Sequence, residues 1–301
     1  MRYSGIGGQA VMEGIMMRNQ ERYAVAVRKP NGEIEIKVSD YKGSVKNKII
    51  KELPIIRGVV SFIDSLYLGM STLMYSASFF EEEEEKEMTK KQENLLLGGT
   101  MVFSLVIALG LFFALPYFLS GLFEKMTDST FLIAFLEGVI RLAIFILYIA
   151  LVSLTKDIKR TFMYHGAEHK CINCIEHGLE LTVENVRKSS KEHKRCGTSF
   201  LLIVMLLSIL FFMFIQVDSK VYRLLLRFLL IPVIAGVSYE LIRMAGRFDN
   251  WFVNLLSKPG LWMQALTTRE PEDDMIEVGI AAVEAVFDWR TWQKEQDMGE
   301  A

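Results

Sequence analysis

Long apolar runs separated by short polar links dominate the middle of this chain. Four of them approach the roughly 20 residues that a helix needs to cross a bilayer core. They run from about Leu95 to Phe123, broken at Pro116, from Phe131 to Leu154, from Ser199 to Val217, and from Val221 to Ala245. The third, SFLLIVMLLSILFFMFIQV, holds no charge. The fourth carries Arg223, Arg227, Pro232 and Glu240 and is expected to face other helices. The pattern predicts a mainly α, polytopic membrane protein of about four transmembrane helices.

Before the apolar runs, ERYAVAVRKPNGEIEIKVS alternates apolar and polar residues on both sides of Asn31-Gly32, a dipeptide that tolerates positive φ and so marks a β-hairpin. From Ile56 the apolar residues Val59, Val60, Ile63, Leu66, Tyr67, Met70, Leu73 and Met74 keep a helical period, interrupted by Arg57 and Asp64. That helix is expected at the membrane interface. EEEEEKE, Glu81 to Glu87, reads as a solvated tether. After the membrane part, REPEDDMIEVGIAAVEAVFDW predicts a turn at Pro271 and an amphipathic helix through Ile276, Ile280, Val283 and Phe287, docked on the cytoplasmic face. The expected divisions are residues 1–80, with the hairpin and the amphipathic helix; 81–94, an acidic linker; 95–245, the four-helix membrane domain with a cytoplasmic loop at 155–198; and 246–301, a cytoplasmic amphipathic segment.

Composition agrees with a bilayer as the main partner: of 301 residues 51% are hydrophobic, and the mean hydropathy is positive. A net charge of -2 offers no basic face to neutralise phosphates, which argues against nucleic acid. Charge reports topology instead. The links EKMTDS (124–129) and DSK (218–220) hold one lysine each, whereas residues 155–198 hold nine basic side chains, so that loop and both termini are expected in the cytoplasm, with the chain in the inner membrane. Three cysteines bunched among histidines fit a reducing compartment better than a disulfide framework. The start, MRYSGIGGQAVMEG, lacks the apolar core of a cleavable signal peptide.

The chemistry concentrates in that basic segment. YHGAEHKCINCIEHG, residues 164–178, holds three of the four histidines and two of the three cysteines; His193 and Cys196 follow shortly. His165-Gly-Ala-Glu168-His169 fits H-x-x-E-H, the inverted zincin signature, in which two histidines four apart share a helix face and the glutamate activates water. A catalytic zinc needs a third protein ligand and an open position. Cys196, His193, Cys174 and Glu240 all qualify as that third ligand, Glu240 because an ionisable residue in a membrane helix is costly and more often functional than incidental. Against the motif stands Gly166, which costs a helix roughly 1 kcal/mol relative to alanine.

The same residues admit a second reading. Cys171-x-x-Cys174 and His193-x-x-Cys196 have the spacing of two zinc knuckles closing a four-coordinate structural site, which would pin the loop and do no catalysis. The bland alternative is a set of satisfied surface and core residues, since buried free cysteine often behaves as a small hydrophobe. Seven such residues between His165 and Cys196 favour a metal role over that alternative.

Elsewhere, Glu137 and Arg141 lie four apart in the second membrane helix, the spacing of a mutually neutralising pair. Gly5-x-Gly7-x-x-Ala10 superficially matches a dinucleotide fingerprint, but no strand precedes it and no βαβ unit follows. GGQAVMEGIMMRN reads as a loop packed against the membrane part, with Glu13 able to bring a carboxylate to the cluster.

GGQAVMEGIMMR, YHGAEHK, RCGTSFLLIV and KPGLWMQALTTREP, in this order along nearly the whole chain, resemble the YqhQ family of bacterial membrane proteins. That family has no assigned function, and its members are labelled predicted metal-dependent enzymes. The resemblance implies that Glu13, His165, Glu168, His169, Cys196 and the Thr267-Thr268-Arg269-Glu270 stretch occupy characteristic positions. It departs from the family pattern at Lys194, where a proline commonly precedes the Arg-Cys pair; Cys171 is not a fixed member, which weakens the knuckle reading.

The expectation is therefore a zinc-dependent hydrolase at the cytoplasmic membrane face, with His165 and His169 as ligands, Glu168 as general base, and Cys196, His193, Cys174 or Glu240 completing the site. The rival is a non-enzymatic scaffold or membrane-protein biogenesis and quality-control factor, in which a structural ion orders the loop for a membrane-protein partner. A transporter, motivated by Glu137, Arg141, Arg227 and Glu240, is disfavoured by the lack of an internal repeat.

Overall fold

The computed structural model describes residues 3–45, 47, 52–80, 89–215, 217, 219–248 and 250–298. The acidic run Glu81–Glu87 lies outside them. The chain is mainly helical, with one small antiparallel sheet near the start of the sequence, and divides into two compact units.

In the first unit, β1 (Ile6–Val11), β2 (Gly14–Asn19), β3 (Arg22–Arg28) and β4 (Ile34–Asp40) form a meander in the order β1-β2-β3-β4. The Asn31-Gly32 hairpin joins β3 and β4 as its sequence predicts, with Gly32 at φ 87°. The glycine-rich start is a second hairpin and not the expected loop: β1 pairs with β2 from Ile6↔Asn19 to Val11↔Gly14. Its turn places Glu13 at φ 48°, a conformation that a glutamate does not advertise.

Both faces of the sheet are covered, so β2 and β3 read as buried runs. On one face Val11, Met16, Val25 and Val27 meet Leu68 of α1 (Ile56–Ala77). α1 turns small and polar residues inward, Gly58, Asp64, Thr72 and Ser76 among them, and leaves Ile63, Leu66 and Tyr67 about half exposed. This inverted stripe is the reason that its apolar period faces outward. On the other face Ile6, Ile15, Met17 and Ala26 pack against later helices of the same unit.

The second unit begins with α2 (Lys90–Leu109), capped by a Thr89–Gln92 box, and continues through a π-helical turn at Gly110–Ala114 into α3 (Leu115–Gly121). α4 (Thr130–Val152) follows. Its Glu137 accepts from Arg141 Nη2 at 2.6 Å and is paired with Arg227, while Arg141 also donates to Ser208 Oγ at 2.9 Å and to the Phe112 carbonyl at 2.9 Å.

Residues 155–198 are largely helical and not a loop. They hold α5 (Lys156–Glu176) and the short α6 (Val183–Lys188). Further on come α7 (Gly197–Met213), α8 (Lys220–Arg247), α9 (Trp251–Thr267), α10 (Asp273–Glu284) and α11 (Trp289–Met298). The predicted C-terminal amphipathic helix is α10. It buries Met275, Ile276, Val278, Ala282 and Val283 in the core shared by α5 and the sheet.

Among the described residues, three helical spans are long and apolar enough to cross a membrane: Gly98–Lys125, Thr130–Val152 and Val221–Gly246. The Gly197–Met213 helix is equally apolar but has 17 residues.

Candidate metal centre

α5 carries the H-x-x-E-H motif as one continuous helix, which stacks His165 and His169 one turn apart with ring centroids 4.4 Å from each other. Residues 164–176 are buried almost without a break, because the sheet, α10 and the segment after α6 enclose this part of the helix. That segment is fastened to α5 by side-chain donors. Lys170 Nζ donates to the carbonyls of Arg187 and Ser189, Asn173 Nδ2 to those of Ser190 and Glu192. The backbone so held delivers Cys196 to the two histidines.

Cys196 Sγ lies 3.3 Å from His165 Nε2. Ligand atoms of His165, His169 and Cys196 all fall within 4.8 Å of one another, so these three side chains could hold a metal ion. Each imidazole is preset for this. His165 Nδ1 donates to the Thr267 carbonyl at 2.8 Å and His169 Nδ1 to the Lys191 carbonyl at 2.6 Å. A carbonyl only accepts, so Nδ1 carries the proton in both rings and each Nε2 is the nitrogen turned to the cluster.

Without an ion, the electrostatics favour protons on the rings and none on the sulfur, and a metal would displace those ring protons. Burial opposes a charged His165, yet the Cys196 sulfur and Glu168 beside it push its pKa up to about 9. His169 is raised against burial by the same neighbours. Burial would raise the Cys196 thiol, but the two imidazoles drive it well below its ordinary value. A thiolate facing two imidazoles is a donor set of two nitrogens and one sulfur, suited to a borderline-soft ion such as zinc. Glu168 completes the ring of polar atoms: its Oε2 stands 3.5 Å from His169 Nε2 and 4.0 Å from His165 Nε2.

The other residues singled out above are placed elsewhere. Glu240 is paired with Arg57 of α1. Its cost in an apolar helix is met by a counter-charge that interrupts the stripe of α1. Cys174 Sγ is turned toward the carbonyl of Glu180, and Cys171 is enclosed with Gly279 in the apolar core; burial raises the pKa of both thiols. The four knuckle residues therefore do not converge. Among the described residues, the single group of three or more metal-ligating side chains is His165, His169 and Cys196. His193 neighbours His169, with ring centroids 5.6 Å apart, but its Nε2 faces Glu176 Oε2 at 3.6 Å. Glu13 is engaged by Arg160 Nε at 2.5 Å and by Tyr164.

Some positioning residues carry no ligand signature and were not singled out by sequence. Gln264, wholly buried, clamps His193 through both its backbone N–H and its carbonyl and also donates to Ser199. Thr198 Oγ1 contacts Cys196 Sγ at 3.0 Å and Thr267 Oγ1 at 3.2 Å. Arg195 donates to Glu176 at 2.6 Å.

A cavity of about 800 Å³ opens on the cluster. His165 and Cys196 form part of its wall, together with β1, the Ser61–Leu68 part of α1 and the first turn of α7.

Residues 53–289 match the family described as "Protein of unknown function (DUF1385)". The chain belongs to the DUF1385 family. It is 34% identical over 284 residues to the "Uncharacterized protein YqhQ" of Bacillus subtilis (strain 168), an alignment covering 91% of this chain and 89% of that protein. No solved structure matches it.

Proposed function

We propose that this DUF1385 protein is a zinc-dependent hydrolase of the cytoplasmic membrane face. The observation that carries the reading is the convergence of His165 Nε2, His169 Nε2 and Cys196 Sγ, with both ring tautomers fixed by carbonyls and a carboxylate alongside. Three protein ligands would leave a position for water, as in catalytic and not structural zinc sites, and His165 and Cys196 border a cavity that could admit a substrate. When bound, the ion supplies Lewis acidity that lowers the pKa of a water toward neutrality. The residues do the rest. Glu168 takes the proton from the attacking water and passes it to the leaving group, and its burial beside two imidazoles keeps it aimed. Thr198 holds the Cys196 sulfur in place.

The membrane topology of the reading follows from the charges. Four crossings, counting Gly197–Met213 at the short end of the spanning range, put the nine basic residues of 155–198 and both termini on the cytoplasmic side. The outward apolar residues of α1 fit a helix lying at the interface.

The test is metal analysis of the detergent-purified full chain. Wild type and Glu168→Gln are expected to carry a stoichiometric ion, and His165→Ala and Cys196→Ser to be empty. Wild type without an ion overturns the reading; loss of the ion from Glu168→Gln makes that residue a ligand and overturns its role as base.

A further inference from the structure

β1 and β4 are the two edges of the sheet, and they differ in kind. β4, IEIKVSD, bears Glu35, Lys37 and Asp40, the charges by which exposed edges ordinarily repel another strand. β1, IGGQAV, bears none and runs along the wall of the cavity that holds His165 and Cys196.

The hydrogen bonds show which groups of β1 are free. In an antiparallel ladder alternate residues turn their N–H and C=O away from the partner strand. On β1 these are the even-numbered residues: the N–H of Ile6 is taken by Ser4 Oγ, the carbonyl of Ile6 by Arg195, and the N–H of Met12 by Ser76 Oγ. Both ends of the edge are thus capped by side chains. Between them the outward N–H and C=O groups of Gly8 and Ala10 have no partner among the described residues. α1 covers the face of β1 that carries Gln9 and Val11, and α5 covers the face that carries Ile6 and Ala10. The edge itself is open into the slot between them, where the cavity lies.

Gly8 brings this edge to the chemistry. A Cβ there would stand 2.5 Å from the Met16 carbonyl oxygen, 2.9 Å from Met17 Sδ and 3.0 Å from Glu168 Cγ, so glycine is what lets the strand pair with β2 and still lie against the Glu168 side chain. Two donor and acceptor pairs repeating every second residue, about 6.6 Å apart, are complementary to a ligand whose own donors and acceptors repeat at that interval. An extended polypeptide main chain has that property; a sugar or a lipid does not.

We infer that the substrate of this site is a polypeptide, held in extended form as an added strand on the free edge of β1 beside Glu168. This inference rests on the hydrolase reading above for its chemistry, which becomes addition of water across a peptide bond to leave a carboxylate and an amine. Binding through the main chain needs no particular sequence, and specificity falls to the side-chain positions that alternate into the cavity.

The experiment measures fluorescence anisotropy of a labelled decapeptide of alternating threonine and valine, titrated with full-length protein in detergent. The comparison probe is the same peptide N-methylated at alternate residues, which cannot donate to the edge. Ala10→Pro is the matching variant, because it removes an outward N–H and leaves the β1–β2 ladder intact. Saturable binding to wild type, weakened at least tenfold by the N-methylated probe and by Ala10→Pro with its ion retained, is the expected result. Absent binding, or equal binding of the two peptides, overturns the inference whatever Ala10→Pro does. The same titration on chelator-treated protein separates the two readings. Edge binding that persists in a protein never found with an ion would sink the hydrolase and keep the strand site; a stoichiometric ion with no edge binding would do the reverse.

Discussion

The carbonyl oxygen of Arg269 lies 2.0 Å from the point where a Cβ on Gly166 would stand. The segment after α9 therefore runs along α5 at a distance that no side chain permits, and it is tied there by Arg269 N–H to the Phe162 carbonyl at 2.9 Å. Two residues earlier, Thr267 supplies the carbonyl that fixes the tautomer of His165. The glycine that weakens the helix is thus what lets the histidine be anchored. Gly166→Ala is expected to lower stability, because a helix-propensity gain of about 1 kcal/mol is smaller than the roughly 1–3 kcal/mol or more of overpacking against backbone. Metal affinity should fall about 10- to 100-fold, as for loss of an outer-shell partner. Thermal unfolding and chelator competition in detergent measure the two effects. Unchanged affinity would show that this segment does not orient His165.

How much of this was legible beforehand depended on whether the cause lay in residue types. The helix face with His165, Glu168 and His169 and the Asn31-Gly32 hairpin are local patterns, and both are present. β1 and β2 escaped because glycines and a methionine run carry no alternation, and because their turn rests on a left-handed glutamate. Cys196 was one of several third ligands until the fold brought it within 3.3 Å of His165. The carbonyls of Thr267 and Lys191 that fix both rings were invisible, since a backbone atom has no residue type. Glu240 looked functional by virtue of its apolar surroundings, but its partner Arg57 stands 183 positions away and no short-range rule connects them.

Glu176 should make the protein acid-sensitive through one identifiable group. Burial disfavours its charge, but His193, Arg195 and Ser4 outweigh that and hold its pKa at about 2, below the 4.5 of a free glutamate. A depressed folded pKa contributes stability that is fully present above about 4.5 and is lost as the pH falls toward 2. The contribution is on the order of 3 kcal/mol. Denaturant midpoints from pH 6 to pH 3 should drop more steeply for wild type than for Glu176→Gln. Parallel profiles would mean that this carboxylate is not the group responsible.

The three cysteines should separate cleanly in a metal-affinity titration. Cys171→Ala and Cys174→Ala remove small buried thiols from an apolar core, at a cost of about 1 kcal/mol in stability, and should leave affinity unchanged. Cys196→Ser replaces the thiolate donor itself and should weaken binding beyond the roughly 100-fold that an outer-shell loss produces. Competition with a chromophoric chelator reads all three. Loss of the ion from Cys171→Ala would restore the four-residue knuckle.

In the second unit, Glu137 is one carboxylate shared by two buried guanidinium groups, Arg141 and Arg227. Removing a partner from a buried ion pair typically costs about 3–5 kcal/mol, because the charge left behind is neither solvated nor paired. Glu137→Gln leaves two such charges, whereas Arg227→Met leaves Glu137 balanced by Arg141 four residues along the same helix. The aromatic faces around the guanidiniums, Phe212 to both and Phe113 and Tyr117 to one each, soften the first loss without supplying a negative charge. Glu137→Gln should therefore be the more damaging change, with a midpoint shift in detergent-mediated unfolding well beyond that of Arg227→Met. An equal or greater loss from Arg227→Met would mean that Arg227 matters for its packing against Tyr117 and Phe212, and that the charge balance at Glu137 does not set the stability of this unit.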